Sequence, residues 1–399
     1  MSAELLDWLN LLLRWLHLIA GIAWIGASFF FMWLDANLQK PPALPHKAQV
    51  EGELWMVHSG GFYEVNKILV APQPMPSPLH WFKWEAYVTW LSGFALLVVV
   101  FYFGQAVNLV DPEVADLAPG TAIALGLGAL PVGWLAYDRL FKSPLGKSRA
   151  GAALGWALLT LASILLCKLF AGRAAFIHVG ALVGTCMVAN VAMIIIPNQR
   201  KLVAARIAGQ VPDPALGKQA KQRSVHNNYL TLGVLVTMVA GHFPMLFGHP
   251  HNWAVLMAMF AIGALVREFF NRRNAGSVEY RWWGYAAAAT LALYFGMAAS
   301  ERPRLKLDPN EAKVPFAEVR AVLAERCATC HSARPTDDTV DKPPGGFVVD
   351  TPEQIRRGAQ KIFARTVLTT TMPLGNKTEM KPEERELIGK WVLQGAHSD

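Results

Sequence analysis

Residues 8–34 read WLNLLLRWLHLIAGIAWIGASFFFMWL, a run whose only charge is Arg14 and whose only imidazole is His17. A helix needs about 20 apolar residues to cross a hydrocarbon core of about 30 Å, so this stretch is long enough to span a bilayer. It has no basic leader and no small-residue cleavage site, and its apolar run is too long for a signal peptide. The expectation is therefore a retained helix.

Seven further windows of the same kind follow at 82–104, 120–141, 151–170, 174–197, 228–248, 252–270 and 282–300. They account for the whole-chain composition: 399 residues, 53% hydrophobic, 17% charged, mean hydropathy +0.28. Such a chain is too apolar for an ordinary soluble enzyme and excludes disordered, collagen-like and disulfide-scaffold classes. Charge is divided unevenly. The first 300 residues carry 21 Lys+Arg and 14 Asp+Glu, whereas the last 99 carry 16 and 15. The reading is an all-α chain, with a polytopic membrane bundle of about eight helices over 1–300, a polar linker at 301–312 and a compact polar domain at 313–399.

Basic residues gather in alternate connections: 35–81, 139–149, 198–227 and 267–281. Residues 105–119 and 249–251 have none, and only the short 168–173 turn breaks the pattern, with Lys168 and Arg173. By the positive-inside rule the basic connections face the cytoplasm of a bacterial inner membrane. Both termini and the C-terminal domain are then expected in the periplasm. The net charge of +8 reads as a topology signal and calls for no nucleic-acid partner.

In the polar domain, Cys327-Ala328-Thr329-Cys330-His331 has the C-x-x-C-H spacing that attaches a c-type haem. Two thiols one helical turn apart reach the two vinyl groups, and His331 is directed at the iron. The competing reading is a redox or zinc C-x-x-C pair. A second axial ligand is expected before the last helix; Met372, in Thr371-Met372-Pro373, is preferred over Met380. A thioether opposite histidine raises the reduction potential. Helices are expected at 316–327, from cap Thr351 to about Leu368, and from Pro382, around a Pro/Gly-rich loop at 333–350. With its Cys-pair motif near the start and Met-Pro turn before a closing helix, this region resembles class I cytochrome c.

Polar residues inside membrane helices are costly, so each is a functional candidate. His17, His178 and His242 share one predicted depth near the outer face and are candidates for holding a b-type haem or another metal. His58, His80 and His226 form a second layer near the cytoplasmic side. The stretch LHLIAGIAWIGASFF, with Gly21, Trp24 and Gly26, resembles the first helix of copper-resistance membrane proteins and of bacterial haem-binding protoporphyrinogen oxidase. Cys167 and Cys186 read as buried thiols, and no disulfide is expected.

Three aromatic, polar stretches stand at the cytoplasmic side: Trp55–Lys67 (WMVHSGGFYEVNK), His80–Glu85 (HWFKWE) and His226–Tyr229 (HNNY). Together with His242-Phe243-Pro244 they resemble the bacterial membrane-bound urate oxidase (urate hydroxylase) family, which carries a C-terminal cytochrome c. The resemblance implies oxidation of urate to 5-hydroxyisourate, with electrons leaving through the covalent haem c to a cytochrome c or terminal oxidase. Urate is a flat, weakly acidic purine. Asn227 and Asn228 are candidates to pair with its edges, Trp55, Phe62, Tyr63 or Trp84 to stack on it, and Lys67 or Lys83 to neutralise it. His58, Glu85 and His226 are the candidate bases. Each also has a plainer role, as interfacial belt, topology signal or helix cap. Two other functions compete: an electron-transfer subunit fed by quinol or another donor, and a metal transporter with a cytochrome sensor.

Overall fold

The computed structural model describes residues 3–43, 47, 49–68, 70–72, 75–103, 106, 108–300 and 312–398. The expected linker, apart from residue 312, lies outside them. The first 300 residues form helices α1 (Ala3–Asn37), α2 (Trp84–Tyr102), α3 (Pro119–Lys142), α4 (Arg149–Leu169), α5 (Gly172–Ile207), α6 (Pro214–Val239), α7 (Asn252–Asn274) and α8 (Arg281–Ala299). Among the described residues six of these, α1–α5 and α7, are long and apolar enough to cross a membrane. The other two expected spans also fold as helices but are less apolar. α6 spends its first half on Lys218, Lys221, Arg223, His226 and Asn227, and α8 is rich in Ala, Trp and Tyr.

α5 is the central helix: 72% of its apolar window is buried, against 6% for α1. α1 leaves Leu11, Trp15, Leu18 and Ile22 exposed, an apolar face of the kind that lipid or a partner surface covers. Pro197 has no N–H to offer the carbonyl four residues back, and the helix accommodates it with a π-wound turn over Asn190–Ile195. That turn places Asn190 in the core with no exposed surface.

Two elements correct the sequence reading. The connection after α1 contains a hairpin: β1 (Val50–His58) and β2 (Gly61–Ile68) pair antiparallel through a two-residue Ser59-Gly60 turn, so the chain is not all-α. Both turn residues have positive φ, 50° and 77°, as a type I′ hairpin turn requires. Secondly, the sixth helix ends at Val239. His242 lies in the turn beyond it and not within a span.

The C-terminal unit consists of α9 (Phe316–Arg326), a single turn at Ala328–His331, α10 (Pro352–Ile362, continued by a π-wound turn over Phe363–Leu368) and α11 (Pro382–Leu393). Thr351 and Gln354 form a capping box at the start of α10. Leu323, Ile355, Met380, Ile388 and Trp391 fill a separate core. This unit rests on the end of the bundle that carries the acidic connection 106–118 and the turns after α6. Asn376 donates to Glu113 at 2.6 Å, Arg385 pairs with Glu113 at 3.5 Å, and Thr369 packs on Gly248.

Candidate active site and the C-x-x-C-H turn

Within the bundle, α3, α5 and α6 converge on a buried polar cluster. Its origin is local to α6: Arg223, His226, Asn227 and Thr231 recur at three- and four-residue steps, so the helix presents them on one side. Nδ1 of His226 lies 2.7 Å from the Tyr137 hydroxyl. That hydroxyl also accepts from Asn190 Nδ2 at 3.0 Å, and Asn190 Nδ2 donates to Asn227 Oδ1 at 2.9 Å. Arg223, with no exposed surface, pairs with Asp138 at 2.9 Å and stacks its guanidinium 4.8 Å from the centre of the Tyr137 ring. Four buried polar atoms in this region have no protein partner: Nε and Nη1 of Arg223, Oδ1 of Asn190 and Nδ2 of Asn228. Buried polar groups are normally satisfied, so the Arg223 and Asn190 atoms are candidate contacts for a polar ligand, with Asn228 Nδ2 on a different side of α6.

The α6 candidates separate by direction. Neighbouring helix residues point about 100° apart, so Asn227 faces α5, with Nδ2 on the Met187 carbonyl, while Asn228 faces α7, accepting from Arg267 and Asn271. Asn227 has both ends of its amide engaged within the protein, and Asn228 keeps a free Nδ2. The structure therefore does not aim both amides at one ligand.

Nor does it bring the hairpin to His226. The hairpin is bound to the end of α1, through the Gln39–Glu53 bridge and the Lys67–Asp35 pair at 3.0 Å. Trp55, Phe62, Tyr63 and His58 are exposed on it, Phe62 at 79%. Lys67 is occupied by Asp35 and Glu51. Glu85 lies half-buried in the first turn of α2, next to Ala86, which packs on Val188, Val191 and Ile195. Tyr137, Asp138, Asn190 and Arg223 were not singled out from sequence. Asp138 and Asn190 carried a legible signal as polar residues inside apolar windows, whereas Arg223 is indistinguishable from topology-setting charge.

A cavity of about 380 Å³ lies alongside, among α1, α2, α5 and α6. His17 and His242 both line it; His178 does not. His178 is fully buried, with Nδ1 2.7 Å from the Ala174 carbonyl and Nε2 3.0 Å from the Tyr102 hydroxyl, so both ring nitrogens are used. Met187 and Thr231 line the cavity and also bond to Asn227, joining cavity and polar cluster.

In the C-terminal unit, Cys327 caps α9, and its carbonyl accepts from the N–H groups of Cys330 and His331 at 3.2 and 2.8 Å. That one turn brings both thiols and the imidazole together. Neither cysteine is in a disulfide. Burial pushes the Cys327 thiol up to about 12 and raises Cys330 as well. A catalytic redox pair needs the opposite, a lowered thiol. Nδ1 of His331 is held 3.0 Å from the Phe347 carbonyl, which leaves Nε2 free. Fixing one ring nitrogen on a carbonyl is how metal-bound histidines are oriented. The residues present fit a covalent haem. Met372 is half-buried, its carbonyl held by Arg385 at 2.7 Å, while Met380 is 2% exposed in the core.

Fold and site together define a largely helical protein in which, among the described residues, six helices are long and apolar enough to cross a membrane, with a hydrogen-bonding cluster buried in its bundle and a compact helical unit at one end. The chain belongs to the urate oxidase N-terminal family, whose model matches residues 3–298. No curated protein and no solved structure matches the chain.

Proposed function

We propose that the protein is a membrane-bound urate oxidase that converts urate to 5-hydroxyisourate and passes the electrons to a haem c held by Cys327, Cys330, His331 and Met372. The family match over the whole bundle carries this reading, and the C-x-x-C-H turn supports its electron exit. Urate and water give 5-hydroxyisourate, two protons and two electrons. No oxygen is consumed and no peroxide is formed.

The buried cluster supplies the recognition. Nε and Nη1 of Arg223 are charge-assisted donors for the urate anion. Oδ1 of Asn190 accepts from a ring N–H, and the Tyr137 hydroxyl orients His226 so that Nε2 can take a proton from the attacking water. When bound, the c-type haem supplies one-electron acceptance at the periplasmic face, from which a cytochrome c or terminal oxidase removes the electrons.

The topology follows the charge pattern. The basic connections lie at the cytoplasmic end of the bundle, and the acidic end that contacts the C-terminal unit faces the periplasm. The test is anaerobic addition of urate to the oxidised, purified protein in lipid or detergent. Reduction of the c-haem spectrum by urate, absent from a Cys327→Ala/Cys330→Ala protein, is the expected result. Reduction by a quinol and not by urate would sink the reading.

A further inference from the structure

We propose that the cavity among α1, α2, α5 and α6 binds a b-type haem non-covalently, with His17 and His242 as its axial ligands. Its purpose rests on the electron-transfer reading above; its evidence is the cavity itself.

The volume of about 380 Å³ falls within the roughly 300–1,000 Å³ typical of cofactor sites. Trp90 and Phe94, stacked at 5.3 Å, form part of a mostly apolar lining. Glycines keep its walls flat. Opposite Gly184 there is nothing within 4 Å of a built Cβ, and a Cβ on Gly93 would stand 2.7 Å from the His17 ring. The imidazole thus lies against the α2 backbone because Gly93 permits it.

Nδ1 of His17 is fixed by the Thr89 carbonyl at 2.9 Å and the Ser92 hydroxyl at 3.2 Å, leaving Nε2 as the free nitrogen. That is the orientation a carbonyl imposes on a metal-ligating histidine. Among the described residues no hydrogen bond holds the His242 ring. No three His, Cys, Asp or Glu side chains among the described residues cluster tightly enough to hold a bare ion. Two imidazoles suffice when a porphyrin provides four further nitrogens.

The rim is cationic. Arg14 and Arg173 line the cavity within electrostatic range of each other, and Arg173 is also within range of Arg365 in the C-terminal unit. Among the described residues neither Arg14 nor Arg173 is paired with a carboxylate. Two guanidiniums at the edge of an apolar slot match the two propionates of a haem. A quinone has no carboxylates to use them. The cavity touches the Asn227 cluster through Met187 and Thr231 at one side. Its lining also includes Arg173, in electrostatic range of Arg365 in the C-terminal unit. A haem held here by His17 and His242 would supply one-electron acceptance between urate oxidation and haem c, used twice per urate.

The experiment is acid–acetone extraction of the full-length holoprotein, followed by pyridine haemochrome spectra of extract and residue. One extractable b-type haem per covalent c-type haem is expected. His17→Ala and His242→Ala should lose it while keeping covalent haem, and His251→Ala, at an exposed residue off the cavity, should retain it. His17→Met keeps an axial ligand; it should keep the haem and change its low-spin spectrum from bis-imidazole to imidazole–thioether. An extract without haem, an extract containing quinone in its place, or full haem content in both alanine variants would overturn the proposal. Haem present without urate-driven reduction would instead count against the urate reading alone.

Discussion

The Tyr137 hydroxyl stands 2.7 Å from Nδ1 of His226 and also receives Asn190, so one phenol sets the direction of both a candidate base and a candidate substrate contact. Tyr137→Phe removes that hydroxyl and keeps the ring beneath Arg223. A buried hydrogen bond is worth about 1–1.5 kcal/mol. Urate turnover should therefore fall on the order of tenfold, in kcat more than in KM. Steady-state kinetics that left kcat unchanged would remove Tyr137 from the site.

Arg223 and Asp138 form an ion pair in which the arginine has no exposed side-chain surface. Breaking a buried pair by removing one partner costs roughly 3–5 kcal/mol. Lys142 also reaches Asp138, at 2.7 Å, so the lower end of that range is expected for Arg223→Met. Thermal unfolding in detergent reads the loss. Urate-driven reduction measured below the new midpoint should fail in the surviving folded protein.

Urate turnover should be indifferent to the hairpin. Trp55→Ala, Phe62→Ala and Lys67→Ala alter exposed or already paired side chains bound to the end of α1. Values of kcat/KM within twofold of the parent are expected. A rise in KM of tenfold in any of them would move substrate binding to the hairpin.

Glu113 links the bundle to Arg385, whose guanidinium also fixes the Met372 carbonyl. Exposed pairs are worth about 0.2–1 kcal/mol, and less in salt. Glu113→Lys sets like charges together, and stopped-flow reduction of the c-haem by urate should slow by roughly threefold, more at low ionic strength. Reduction by dithionite should be unaffected.

Acid should loosen the C-terminal unit through Asp337. Burial works against its carboxylate, but hydrogen bonds from Lys377 and Thr339 outweigh this and hold the group down at about 2. A lowered folded pKa means the contribution to stability is complete above the unfolded value of about 3.9 and disappears as pH falls from there to about 2. Near-ultraviolet circular dichroism of the protein should show a transition in that window. Asp337→Asn should flatten it, at lower stability near neutral pH.

How much of this was legible in sequence depends on the range of the interaction. The existence of the helices follows from local hydropathy, and the C-x-x-C-H spacing is carried by five consecutive residues. The hairpin is absent from the all-α reading although Ser59-Gly60 is a sound turn signal, because the 35–81 connection stands out for its basic and aromatic residues. The end of α6 at Val239 was missed because the apolar run continues past it.

That helices fill most of the first 300 residues, where charge lies between them, and that His226, Asn227 and Asn228 share one helix are all readable from local sequence. Only the tertiary structure decided which of them meet. It turned Asn228 away from Asn227 and spent both nitrogens of His178 on Ala174 and Tyr102. His17 and His242, 225 positions apart in the chain, came to line one cavity. Local propensity reaches about one helical turn along the chain, whereas the partner of a buried polar group is chosen by how whole helices pack.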